Sequence, residues 1–305
     1  MHSLPIYVIN LENSRDRLSN VEEQCADVDS PLTVVRAIDG RNQDFSLHQY
    51  TDLFSVEKRS QVSRQLTTFA CYLSHAKCWE TLLKSNETHA LIIEDDICLH
   101  RTALSNLDIE ACQESFDVIF VNSRTHRWTD RSAAMKFSHR IRLESKGRQT
   151  SKTQRRFRNV FFKLLSKLLP QEKFVRDRSY VSVSEVILRR IKQGYYRHKM
   201  PACGGDGYIL SRQGAEKLLS IMHSRKINDI AVDHSIQFHS LSSEARTVLR
   251  ELPVSSKPEI LNQFLEREKN AVPIELKSYI YVNGPVVSQG KYSNASNIRD
   301  VKLYR

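Results

Sequence analysis

One short stretch constrains the chain more than any other: an almost wholly apolar run at residues 90–93, Ala-Leu-Ile-Ile, breaks off into the acids Glu94, Asp95 and Asp96. A run without alternation fits a strand covered on both faces, the kind found in the middle of a sheet flanked by helices. Its end is informative as well, because open α/β sheets bind ligands outside the carboxyl ends of their strands. Adjacent carboxylates repel, so keeping three together requires solvent, a cation or a function. A hard divalent cation, Mn²⁺ or Mg²⁺, answers this, since it takes oxygen ligands and bridges carboxylates to a diphosphate. The plainer alternative is a solvated acidic turn.

The neighbourhood of that run predicts alternating strands and helices. From Thr67 onward, Phe69, Tyr72, Leu73, Ala76, Trp79, Leu82 and Leu83 recur at helical spacing. Upstream, residues 4–10 read as a buried strand. Asn13 or Ser14 is placed to cap a helix with Leu18, Val21 and Cys25 on one face, and a strand at 33–38 runs into the turn Asp39-Gly40. Downstream come a strand at 118–121 and a loop, Gly204-Gly205-Asp206-Gly207, feeding a strand that ends at Ser211. That serine can cap a helix with Ala215, Leu218, Leu219 and Met222 on one side. The expected fold is α/β, a layered sheet with helices on its faces.

Lys and Arg dominate residues 140–200, where the regular signals weaken. There Phe157, Val160, Phe161, Leu164, Leu165 and Leu168 oppose Arg158, Lys163 and Lys167. This predicts a basic amphipathic helix, packed on the rest of the protein or laid on a membrane surface. Past residue 253 the chain reads as polar, basic and poor in periodicity.

A length of 305 residues with 40% hydrophobic content is enough for a sizeable core. The formal net charge of +11 draws polyanions to the surface: nucleic acid, anionic lipid headgroups or phosphorylated glycans. No nucleic-acid partner is expected, since no RRM, KH, zinc-finger or helix-turn-helix signature is present and that reading leaves the strand-end acids unexplained. The six cysteines, with no CxxC pair and no compact His/Cys ligand spacing, read as reduced, buried thiols rather than a disulfide frame or zinc site. The first residues lack the apolar core of a secretory signal, and no apolar run nears the roughly 18 residues of a membrane span. The expectation is a cytoplasmic protein, able to sit peripherally on the inner face of the cytoplasmic membrane.

Several segments, in order along the chain, resemble glycosyltransferase family 25, the lipooligosaccharide-type galactosyltransferases. They are Tyr7-Val-Ile-Asn-Leu11 with Arg15 and Arg17, Arg36-Ala-Ile-Asp-Gly40, Ala70-Cys-Tyr-Leu-Ser-His75 followed by Trp79, and Leu91-Ile-Ile-Glu-Asp-Asp-Ile97. Gly205-Asp-Gly-Tyr-Ile-Leu-Ser211 with Gly214-Ala215, and Pro285-Val-Val-Ser-Gln289, complete the set. The resemblance implies a GT-A fold, a Rossmann-like mixed sheet with helices on both faces, here carrying a basic helical insertion. It implies an inverting, metal-assisted transfer of a hexose, usually galactose from UDP-galactose, to a lipopolysaccharide, lipooligosaccharide or other glycan or glycolipid acceptor.

On that basis residues 1–139 are the nucleotide-sugar-binding part, 140–200 the insertion or subdomain, and 201–305 the acceptor side and tail. Glu94-Asp95-Asp96 resembles the DxD-type motif: Asp96 the foremost metal ligand, Glu94 a metal ligand or facing the nucleotide or sugar, Asp95 beside them. Asn10, Leu11, Arg17, Asp39 and Gly40 resemble the nucleotide-side wall, Ser74 and His75 neighbours of the donor pocket, and Gln289 part of the closing motif. Asp233 is placed to return as a late metal ligand. The catalytic base is expected to be Asp206, with Asp233 second. Each residue has a plainer reading: Asn10, Asp39 and Asp233 as turn residues, His75 as a hydrogen-bonded structural histidine, Arg15 and Arg17 as a solvated helix face.

Overall fold

The first strand, β1 (Ile6–Asn10), is buried along its whole length and is followed by α1 (Arg15–Cys25) and β2 (Leu32–Arg36). This is the strand, helix, strand opening that the alternation predicts. A computed structural model of the protein describes residues 4–42, 44–45, 53, 62–110, 112, 115–122, 188–191, 195–198, 205–225, 231–241, 243–251, 259–281 and 286–290. Helix α2 (Val62–Lys84) begins seven residues before the first apolar residue used to predict it, and delivers the chain to β3 (His89–Glu94). Next come β4 (Ile97–Leu99), α3 (Arg101–Ser105), β5 (Val118–Phe120), β6 (Leu188–Ile191) and β7 (Tyr195–His198). The later elements are β8 (Gly207–Ser211), α4 (Arg212–Arg225), α5 (Val232–His239), α6 (Ser243–Glu251), α7 (Glu259–Arg267), β9 (Ser278–Tyr281) and β10 (Val287–Gln289).

Eight strands make one mixed sheet in the order β2-β1-β3-β8-β5-β9-β7-β6. Strand β1 pairs in parallel with both β2 and β3, whereas β8 lies antiparallel between β3 and β5. The chain leaves β1 toward one side through α1 and crosses back to the other through α2. The carboxyl ends of β1 and β3 therefore flank the point where strand order reverses, the usual ligand crevice of an open α/β sheet.

Both faces of the sheet are covered. Tyr7, Ile9, Ile92, Tyr208 and Leu210 point to one side and pack with Trp79 and Leu82 of α2 and Leu218 of α4. Ile6, Val8, Leu91, Ile93 and Ile209 point to the other, against Val21 and Cys25 of α1 and Val287. Strand residues of alternate parity thus feed two cores, which is why residues 90–93 have no polar member. Ser211 caps α4 as expected, its hydroxyl accepting the Gly214 N–H at 3.0 Å. Below the sheet, the buried Asp117 accepts Lys217 Nζ at 2.6 Å and the backbone N–H of Lys277 at 2.7 Å, which joins β5, α4 and the approach to β9.

Two expectations look different in the structure. The described parts of the basic stretch 140–200 are strands, and β7 pairs with β9, so they extend the main sheet. The amphipathic helix expected at 157–168 lies outside the described residues. The region past 253, read as lacking periodicity, contains α7, where Leu261, Phe264 and Leu265 are buried. That helical spacing is in the sequence but is short and bounded by charge. No described helix is long and apolar enough to cross a membrane.

Candidate active site

At the switch point, β1 ends at Asn10 and β3 at Glu94, with Ile9 opposite Glu94 in the parallel register. A cleft opens here, lined among others by Leu11, Arg17, Asp39, Cys71, His75 and Glu94 to Asp96, and encloses about 620 Å³ of empty space, its open mouth included. Leu11, Arg17 and Asp39 of the expected nucleotide-side wall therefore share one cavity with the strand-end acids, whereas Asn10 and Gly40 stand behind it and are not among its lining residues.

The three acids have separate surroundings. Asp95 is buried and turned toward β1: Asn10 Nδ2 donates to its Oδ2 at 2.8 Å, and Arg17 Nη1 lies 3.4 Å from its Oδ1. Burial raises its pKa more than Arg17 and Asn10 lower it. The same Asn10 amide nitrogen also donates to the Ser14 carbonyl at 3.0 Å, so Asn10 is a brace between the two strand ends and the start of α1. Asp96 is pushed up to about 7 by burial first, then by Glu94, Asp95 and Asp206, with Arg17 opposing. A carboxylate this crowded by negative charge is suited to a cation. Glu94 stands across from α2, its Oε1 3.5 Å from His75 Nε2.

Two aromatic side chains stand behind His75. The Trp79 indole, which can only donate, gives its N–H to the Tyr208 hydroxyl oxygen at 2.9 Å, and the same hydroxyl is 2.9 Å from His75 Nδ1. All three residues are fully buried. His75 is thus both a hydrogen-bonded core residue and a wall of the cleft. Tyr208→Phe strands the Trp79 N–H and His75 Nδ1 in a dry core, and is expected to cost about 2–3 kcal/mol in urea unfolding. A loss below about 0.5 kcal/mol would show that the hydroxyl is not the link between them.

The far wall is held by α2. Ser74 Oγ accepts the Ile38 N–H at 2.9 Å and donates to the Ala70 carbonyl at 2.7 Å. Gly40 lies so close to α2 that a Cβ there would stand 2.6 Å from the Leu66 carbonyl oxygen, which accounts for that glycine by packing alone. Asp39 is held by Arg41 through Nε at 2.9 Å and Nη2 at 3.0 Å, and these hydrogen bonds keep its carboxyl below the usual range.

Three expectations need revising against this geometry. Asp206 was expected on a flexible acceptor-side loop; it is 2% exposed, acts electrostatically on Asp96, and its carbonyl accepts the Glu94 N–H at 3.4 Å. Gly205 and Gly207 beside it face protein, since a Cβ would meet Asp233 Cβ at 3.4 Å and Val287 Cβ at 2.8 Å respectively. Gln289 lies on β10 opposite Ile97, exposed and outside the residues that line the cleft. The cysteines do include a compact pair. Cys71 and His75 are four apart on α2, and their ligand atoms and one of Glu94 all lie within 4.8 Å of one another. The Cys-x-x-x-His spacing inside the predicted helix is the sequence signal for it. Asp233 sits in the first turn of α5 beside Gly205, near enough to raise the Cys71 thiol along with burial and Glu94.

Two comparisons with known proteins bear on this site. The family model described as Glycosyltransferase family 25 (LPS biosynthesis protein) matches residues 3–236, a span that holds the whole cleft. A search among curated proteins finds no match to the chain.

Proposed function

Since the chain belongs to glycosyltransferase family 25, we propose that its cleft holds a nucleotide-sugar donor and that it moves a hexose, galactose from UDP-galactose, onto a lipopolysaccharide, lipooligosaccharide or related glycan acceptor with inversion. The observation that carries this reading is the convergence at the β1/β3 switch point of Glu94 and Asp96 with the Asp39 wall. Donor groups of this kind recur wherever a diphosphate must be held beside a cation.

The residues present fit Mn²⁺ or Mg²⁺. Asp96 and Glu94 offer hard oxygen donors, and Asp96 is raised by burial first and then by the neighbouring acids Glu94, Asp95 and Asp206. When bound, such an ion neutralises charge that builds on the departing diphosphate. The chain's own groups do the rest. Asn10 and Arg17 hold Asp95 so that the end of β3 keeps its course. His75, backed by Tyr208, confines Glu94. Asp233, partly exposed at the start of α5, is the better placed of the two expected bases to take the proton of an acceptor hydroxyl, because Asp206 is closed off from solvent. Asp206 instead reinforces the negative potential at Asp96.

The basic composition supports an acceptor or surface that is anionic, such as a phosphorylated glycolipid in the inner leaflet. The test is a screen of UDP-sugars for UDP release with and without Mn²⁺. Release from UDP-galactose that depends on the ion is expected. A chain that neither hydrolyses nor binds any UDP-sugar, with Mn²⁺ present, would end this reading.

A further inference from the structure

The cleft contains a second donor set unlike the hard carboxylates. Cys71 and His75 project from successive turns of α2, and Glu94 faces them from the end of β3, with one sulfur, one nitrogen and one oxygen all within 4.8 Å of one another. Residues four apart on a helix share a face, which explains how α2 supplies two of the three. His75 is 0% exposed, and its Nε2 makes no hydrogen bond with any described residue although it lies 3.5 Å from Glu94 Oε1. When Nδ1 carries the proton and donates it to the Tyr208 oxygen, the Nε2 lone pair faces the Glu94 carboxylate. Two electron pairs this close repel unless a proton or a cation joins them, and the open side of Glu94, 28% exposed, gives a cation its way in.

We infer that Cys71, His75 and Glu94 form a site for a soft or borderline divalent cation of the Zn²⁺ class. Tetrahedral Zn²⁺, with bonds of about 2.3 Å to sulfur and about 2.0–2.1 Å to nitrogen and oxygen, sets its donors roughly 3.3–3.7 Å apart. The His75 to Glu94 separation of 3.5 Å already meets this, and Cys71 reaches it by a shift of about an ångström. Sulfur and imidazole select Zn²⁺ over Mn²⁺ or Mg²⁺, which prefer oxygen. The Tyr208 hydroxyl behind Nδ1 serves as the outer partner that orients a ligating histidine, and Trp79 orients the hydroxyl in turn. Binding converts the Cys71 thiol to a thiolate on the ion and sends its proton to solvent; His75 stays neutral and Glu94 ionised. Three protein ligands leave a fourth position open toward the cleft. Because Glu94 is shared, occupation by Zn²⁺ withdraws it from the donor side, and only this clause rests on the function proposed above.

The test uses the full-length protein and the metals alone. Titration with Zn²⁺ against a chromophoric chelator is expected to show one tight site, weakened at least tenfold in Cys71→Ser and in Glu94→Gln. Cys98→Ser, whose sulfur lies outside the set, should leave it unchanged. Co²⁺ loading should give a thiolate-to-cobalt charge-transfer band that disappears in Cys71→Ser. A band that survives Cys71→Ser, or a Zn²⁺ affinity equal in all variants, overturns the inference. Mn²⁺-dependent UDP binding is measured on the same samples. Loss of that binding with the Zn²⁺ site intact counts against the transferase and leaves the site standing.

Discussion

Asp96→Asn is expected to lower kcat/KM for sugar transfer by about 10³-fold, because it removes the anionic ligand of the cation that would offset charge on the leaving diphosphate. The substitution keeps shape and burial, so folding should survive. The pH dependence gives a sharper check. Folding raises Asp96 from 3.8 to about 7, so between those values the folded chain holds a proton that the unfolded chain has released. In cation-free buffer this contribution stabilises the protein at the acid end of the window and is lost as pH rises through about 7. Asn does not titrate, so the variant should gain stability relative to the parent at pH 8 while losing activity. In the parent, Mn²⁺ affinity should climb about tenfold per pH unit below 7 and level off above it, since the ion displaces one proton. Full transfer activity in Asp96→Asn would remove the centre of the proposed mechanism.

The second large effect concerns stability away from the cleft. Asp117→Ala is expected to cost about 3 kcal/mol in urea unfolding, because it leaves the Lys277 N–H without its acceptor and the Lys217 ammonium without its counter-ion. The double variant Asp117→Ala, Lys217→Met should recover part of that loss, since the added change removes the stranded charge. A single-variant cost under about 1 kcal/mol would mean that water replaces the carboxylate freely there.

The strands and helices that position the cleft were legible because each is long or strongly patterned. The apolar run ending in Glu94 names both a central strand and its functional end, and the spacing from Phe69 to Leu83 names the helix above it. Partnership across the chain was much less legible. Nothing local distinguishes Asp95, which Asn10 and Arg17 hold, from Asp96, which burial and its acidic neighbours push up. Nor does the Gly205-Asp206-Gly207 loop announce its packing, because Asp233 and Val287, which fill the space beside the glycines, lie 28 and 80 residues beyond them. The mixed sheet order is hidden for the same reason, since β8 enters between β3 and β5 from more than 80 residues away.

The small sheet of β4 and β10 bears on how the protein is born. Strand β10 pairs with β4 just past the acids, Gly290 N–H donates to the Asp96 carbonyl at 3.0 Å, and Val286 and Val287 are wholly buried. The turn that carries Asp96 is therefore pinned by residues made about 190 positions later. On the ribosome, a nascent chain can lay down β1, α1 and β3 long before that clasp exists, and the turn that carries Asp96 is held as described here only once residue 290 has emerged.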